Sequence, residues 1–156
     1  MMARPTYSGA EELADKLLAL GNKGKDISKM ALYDGAGVIA DAVRSGVATI
    51  PTLTTRPFDG LTESDREDLA AGIGIAKFQE GSDEVTTAVS FNGYAQRKEK
   101  NFPNGVPLAL LARSLESGSS LRQKHPFVRI AVSGAKAAAL AAMSERVNEE
   151  IKKVME

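Results

Sequence analysis

The residues of this chain most able to do chemistry crowd into one stretch, LESGSSLRQKHPF, from Leu115 to Phe127. It carries the sequence's one histidine, His125, a Ser/Gly run at Ser117–Ser120, the cations Arg122 and Lys124, and a Pro-Phe pair. Imidazole titrates near neutral pH without help, so His125 is the first candidate for proton transfer beside a serine or a carboxylate. The frames that would build such a site, a G-x-S-x-G elbow or an H-E-x-x-H helix, do not occur. Pro126 also restricts His125 to extended backbone, which suits a surface or interface position. The SGSS run could offer backbone amides to an anion. It lacks the G-x-x-x-x-G-K-[ST] spacing and no strand feeds into it, so a helix stop and connector are expected there.

Two other groups could do chemistry. Glu63, Asp65, Glu67 and Asp68 have the spacing of a solvated, acid-rich first helical turn favoured by the helix dipole. The run GYAQRKEK sets Tyr94 beside the cations Arg97, Lys98 and Lys100, a pattern shared by nucleic-acid contacts and by ordinary exposed loops.

The elements that must position these residues follow from periodicity and punctuation. Residues 1–7 lack a period and are expected to form a flexible N-terminal arm. Ser8 and Glu11 have capping-box spacing, Leu13, Leu17 and Leu20 make one stripe, and Gly21 is the expected stop. Asp26 is the expected cap of a long second helix with a wide apolar arc, ending by Pro51 at the latest. Gly35 and Gly37 weaken that helix by about 1 kcal/mol each, a loss that close packing is expected to offset. Residues 49–61 read as a surface loop. Thr62 with Asp65 caps a short helix that Gly72 and Gly74 end. The runs IAKFQ and EVTTAVSF, joined by EGSD, predict an antiparallel hairpin with Val85, Thr87, Val89 and Phe91 on the covered face. An exposed loop follows from Asn92 to Gly105. Leu108, Leu111 and Leu115 then predict a helix that Gly118 stops. FVRIAV fits a third strand or an extended entry, and from about Ser133 the clearest helix runs to the end with Leu140, Met143, Val147, Ile151 and Val154 in a stripe. The expected fold class is α+β: several helices, with a long second and a long C-terminal one, packed on a small antiparallel sheet in a single domain, 1–156.

At 156 residues the chain can bury a core without staples, and it has no cysteine to form disulfides, thiolate nucleophiles or Cys-based metal sites. Its zero formal net charge argues against a bulk electrostatic hold on nucleic acid or membrane. The N-terminus shows no apolar signal core, and no run approaches the roughly 20 apolar residues that cross a bilayer. A soluble, cytoplasmic chain is expected.

SLESGSS followed by KHPFVRIAV and a long terminal helix resembles the tail-component, or tail-completion, proteins of long-tailed phages and prophages. LADKLLALGNKGKDISKMAL, AGVIADAVRSGV, GLTESDREDLAAGIGI and VSFNGY before PLALLARSLESGSS extend the resemblance over nearly the whole chain. Where that family often carries an aromatic and Gly-Thr after the glutamate, this chain has Ser117, Gly118 and Ser119. The resemblance implies a non-enzymatic neck subunit without cofactor or metal, forming a homo-oligomeric and usually sixfold ring. It implies neighbouring connector or stopper and tail terminator or tail tube proteins as partners, and DNA passing through the lumen without sequence recognition. The expected location is the virion neck, after assembly from the host cytoplasm, with no membrane contact. Arg113, Glu116, Gly118, Ser119, Pro126 and Phe127 are expected to fix a local clasp or subunit interface. Glu116 should pair with a cation or with backbone amides, and Phe127 should bury in the core or an interface. Arg97, Lys98 and Lys100 are candidates for lumen or partner contacts. The rival reading is a DNA-binding or packaging accessory protein using that basic loop; a hydrolase built on His125 is the third.

Overall fold

The structure is a computed structural model that describes residues 8–52, 61–119 and 122–156. The arm at 1–7, the capping side chain of Ser8, the middle of the proline loop (53–60) and Ser120 lie outside the described residues. Among those described, the element order is α1 (Ser8–Asn22), α2 (Gly24–Val47), α3 (Glu63–Ala71), β1 (Ile73–Ile75), β2 (Gln79–Glu80), β3 (Val85–Thr86), β4 (Val89–Phe91), α4 (Leu108–Ser117) and α5 (Phe127–Met155). The architecture is α+β, with the long second and last helices set against small antiparallel sheets.

The two long helices pair antiparallel. Near one end Gly46 of α2 faces Phe127 and Ala131 of α5; further along Gly35 faces Ala139 and Met143, and Asp34 accepts a hydrogen bond from Arg146 Nε at 2.7 Å. A Cβ on Gly46 would lie 3.3 Å from the Phe127 carbonyl oxygen, and one on Gly35 would lie 2.6 Å from Met143 Cγ. Small residues on both helices therefore set the interaxial distance. Gly37 gains nothing comparable, since a Cβ there would meet no atom within 4 Å. Packing thus offsets the propensity cost at Gly35 but not at Gly37.

The core gathers where the α2–α5 pair meets everything else. Val43, Val47 and Ile50 pack with Leu61, Leu69 and Ile73, with Leu108, Leu111 and Leu115 of α4, and with Phe127. The α4 leucines recur at the three- and four-residue spacing that puts them on one helix face. Phe91 meets Phe127 edge to face, with centroids 6.0 Å apart, so the sheet is keyed to the first turn of α5.

The expected hairpin forms but is interrupted. β1 pairs with β4 (Ile73 opposite Phe91, Ile75 opposite Val89), and β2 pairs with β3 (Gln79 opposite Thr86, Glu80 opposite Val85). Between the two ladders Ala76 donates its amide to Ala88 O at 2.8 Å, and Thr87 Oγ1 donates to Ala76 O at 2.7 Å. The outer ladder is tied to α2 by the Lys29–Glu80 ion pair, which holds the Glu80 carboxyl below its ordinary range.

Several sequence expectations are corrected. FVRIAV is neither strand nor extended entry: α5 begins at Phe127, six residues before Ser133. Its β-branched alternation is overridden because Phe127 is buried and the first amides of the helix find a carboxylate. α2 begins at Gly24 with Lys23 at the N-cap, so Asp26 lies in the first turn and is not the cap. α1 continues through Gly21 to Asn22, and only Lys23 separates the two helices. The ends of the 49–61 loop are not superficial, since Ile50 and Leu61 are 3% and 0% exposed. In the 92–105 loop, Ala95 and Gly105 are buried. Finally, α5 is by length and composition apolar enough to cross a membrane, with mean hydropathy 1.3 in its best window, of which 17% is buried. The isolated Arg129 and Lys136 break that stretch into runs too short to be noticed singly.

Two glycines with opposite geometry give a paired prediction. Gly105 has φ +114°, and a Cβ there would fall 2.4 Å from the rigid Ala95 carbonyl oxygen. Gly105→Ala should lose about 2 kcal/mol or more in urea denaturation. Gly35→Ala should cost less than Gly105→Ala, because the Cβ would meet Met143 Cγ and Sδ, at 2.6 and 2.7 Å, in an unbranched side chain that can change rotamer, while helix propensity improves by about 1 kcal/mol.

Candidate functional site

The stretch from α4 to α5 is a clasp built almost wholly of hydrogen bonds between the two helix ends. α4 stops at Ser117 because Gly118 turns to φ +73°, where its missing Cβ lets Lys124 come close. The chain then doubles back, with Ser119 N donating to Arg122 O at 2.9 Å and Arg122 N to Ser119 O at 3.3 Å. His125 N donates to Leu115 O at 2.7 Å, satisfying a carbonyl in the last turn of α4, whose carbonyls have no helical donor. Pro126 sits at the N-cap of α5 and offers no side-chain cap. Glu116 supplies it from the other helix: its Oε2 accepts from Val128 N at 2.8 Å and its Oε1 from Arg129 N at 2.9 Å. These are the second and third amides of α5, the positions an N-cap side chain normally serves. The carboxylate also faces the positive end of the helix dipole. Phe127, 5% exposed, drives the first residue of α5 into the core beside them.

A second polar assembly clamps the loop that carries the basic cluster. Thr62 Oγ1 caps α3 by accepting from Asp65 N at 3.1 Å. The Asp65 carboxylate, in a residue only 2% exposed, lies 3.2 Å from Arg97 Nε, and Arg97 also holds Glu99. One turn along α3, Asp68 Oδ2 accepts from Gln96 N at 2.8 Å. Burial and then the neighbouring Arg97 guanidinium lower the pKa of Arg122 from its ordinary value, while Asp65 and Glu99 act in the opposite sense. On the other side of α3, Arg66 donates to Val47 O and Ala48 O, both at 3.0 Å, to Ile50 O, and to Thr52 Oγ1 at 2.8 Å. A cation placed on those carbonyls serves the orphan acceptors and the negative dipole end of α2 together.

The sequence-based candidates therefore divide. Glu116, Gly118, Ser119, Pro126 and Phe127 come together in the clasp, and Glu116 takes backbone amides. Arg113 stands exposed on α4. Of the basic loop, Arg97 is drawn inward to Asp65, while Lys98 and Lys100 are exposed and Tyr94 is 66% exposed. The acidic turn of α3 is not a merely solvated face as expected, because Asp65 is buried. Asp65 stands four residues before Leu69, so one helix face carries both inward, and Arg97 supplies the charge that makes the burial tolerable. That spacing was the available signal for Asp65. Arg66 gave none, since its four acceptors belong to backbone and hydroxyl groups 14 to 19 residues away. His125 contributes its backbone to the clasp and is half-buried. Among the described residues no group of three or more His, Asp or Glu could hold a metal ion.

No protein-family model, curated protein or solved structure matches this chain.

Two substitutions separate the parts of the clasp. Phe127→Ala should cost about 3–5 kcal/mol in chemical denaturation, the range for emptying a buried aromatic site. Glu116→Ala should cost about 1–2 kcal/mol, a cap's worth, and should speed hydrogen exchange at the Val128 and Arg129 amides, with Glu116→Gln intermediate. Unchanged exchange at those two amides would show that the carboxylate does not cap α5.

Proposed function

We propose that this chain is a structural subunit of the head–tail neck of a long-tailed phage or prophage. In this reading copies assemble into a ring, sixfold as in the family it resembles, between the head connector or stopper and the tail terminator or tail tube. DNA passes through the lumen without sequence recognition. The observation that carries the reading is the apolar surface left on two separate helices. Leu13, Leu17 and Leu18 of α1 are 49%, 52% and 66% exposed, and Ile130, Val132 and Leu140 of α5 are 66%, 37% and 53% exposed. Contiguous exposed apolar surface marks sites of association, and Leu13 and Leu17, one turn apart on α1, form such a strip. The chemistry-bearing stretch supports the same direction: its glutamate and the backbone of its histidine are spent on joining α4 to α5. A neck ring must also hold its own loops rigid while neighbours dock, and the Asp65–Arg97 and Arg66 contacts supply such rigidity.

The decisive experiment is genetic. Deleting the gene from its phage or prophage should yield filled heads and finished tails that fail to join, seen side by side in negative stain. Joined, infectious particles made without the gene would overturn the reading.

A second reading, a DNA-binding or packaging accessory protein, is favoured by exposed Tyr94, Lys98 and Lys100 on one loop. With Arg97 committed to Asp65 and Glu99, few loop cations remain to neutralise phosphate. Filter binding over a salt series should therefore show at most a shallow slope. A steep slope would favour this second reading instead.

A further inference from the structure

The two ladders of the hairpin stand on unequal footing. The inner one, β1 with β4, is rooted in the core: Ile73 is 7% exposed and Phe91 meets Phe127 edge to face. The outer one, β2 with β3, holds only two residue pairs, and Gln79–Glu84 are all exposed. A two-stranded hairpin with so little covered surface is marginal in water by itself.

The registers of the two ladders also differ. Ala76 donates its amide to Ala88 O, and the next pair outward is Gln79 with Thr86. Between them the first strand advances three residues and the second two, so Lys77–Phe78 holds one extra residue, a β-bulge. A bulge breaks the ladder and bends its strand, which makes this the weakest link between the inner and outer halves.

Charge holds the outer half down. Residues 79–86 contain Glu80, Asp83 and Glu84 and no cation. Glu80 stands opposite Val85, so both project from one sheet face. That face looks onto α2, where Lys29 pairs with Glu80 and Lys25 Nζ donates to Gly81 O at 3.3 Å. Lys25 lies in the first turn of α2, where a cation opposes the helix dipole, and the hairpin brings it an acceptor. The Lys29 and Glu80 side chains are 32% and 43% exposed, so dissolved ions screen the pair.

We propose that residues 79–86 form an arm latched to α2 by charge, which opens about the Lys77–Phe78 bulge while the β1–β4 ladder stays closed. High ionic strength releases the latch. Opening removes these acceptors from Lys25 and Lys29, so it is coupled to anion binding at the N-terminal turns of α2, each favouring the other.

Hydrogen exchange on the full chain tests this. It reads the arm at Gly81, whose amide donates to Glu84 O at 2.6 Å, and the inner ladder at Ala76. Raising sodium chloride from about 20 mM to about 1 M should lower the Gly81 protection factor about two- to fivefold, the scale of an exposed ion pair, and leave Ala76 unchanged. Lys29→Gln should lower Gly81 protection by a similar factor at low salt and remove most of the further salt effect. Adding Glu80→Lys to Lys29→Glu should recover protection relative to Lys29→Glu alone. Loss of protection at Gly81 and Ala76 together would overturn the proposal, since the hairpin would then open as one unit. So would a Gly81 amide unprotected at low salt, or one whose protection neither salt nor Lys29→Gln changes.

Discussion

How closely α5 can approach α2 sets the geometry on which the rest of the structure depends. At Gly46 the Phe127 carbonyl oxygen comes within 3.3 Å of where a Cβ would stand, and Ala131 packs one turn further on. That approach delivers Phe127 into the cluster formed by Val43, Val47, Leu111 and Leu115, and sets its ring edge-on to Phe91 of the sheet. Helix pair, α4 and hairpin thus share one aromatic anchor. A bulkier residue at position 46 would lever α5 away from all of them, because a close-packed interior has no slack to absorb the displacement.

Around this anchor, helix ends are completed by residues from elsewhere in the chain. α5 starts at a proline that cannot cap it, and Glu116 of α4 supplies the acceptors. α2 ends without a glycine turn, and Arg66 of α3 supplies the donors. Each arrangement converts a local defect into a tertiary tie, since an unpaired buried amide or carbonyl costs about 1–3 kcal/mol and its partner is held in place by that cost. Asp65 and Arg97 follow the same logic between α3 and the 92–105 loop. Arg97 keeps about a third of its side chain in solvent, which limits the desolvation of that pair.

Charge on this chain is therefore mostly structural where it is buried and unbalanced where it is exposed. The acidic α1 and the basic first half of α5 cancel in the total, so the net charge of zero conceals two surfaces of opposite sign. Composition argued against a bulk electrostatic hold, and it remains a sound argument about the whole molecule. It is silent on local pairing, because electrostatic attraction at surfaces falls off over about 10 Å.

By itself the sequence determined the features that depend on near neighbours. The α4 leucine stripe, the Gly118 stop, the Thr62 cap and the hairpin alternation are all governed by three- and four-residue or two-residue periods and by single-residue φ preferences. The same local logic misassigned FVRIAV, because β-branched alternation outweighs nothing once Phe127 has a core to enter and Glu116 stands ready to cap. Periodicity also marked an apolar stripe on α1 and another on α5, but it reports that a face is apolar and not what covers it: Leu13, Leu17 and Leu140 stay exposed, while Met143 and Val147 are half-buried. Only the tertiary structure decided which of the acids and arginines turn inward, where α5 begins, and which apolar faces remain open. Those outcomes depend on pairs far apart in the chain, such as Arg66 with Val47 or Arg146 with Asp34, whose contact energy exists only after the helices have packed.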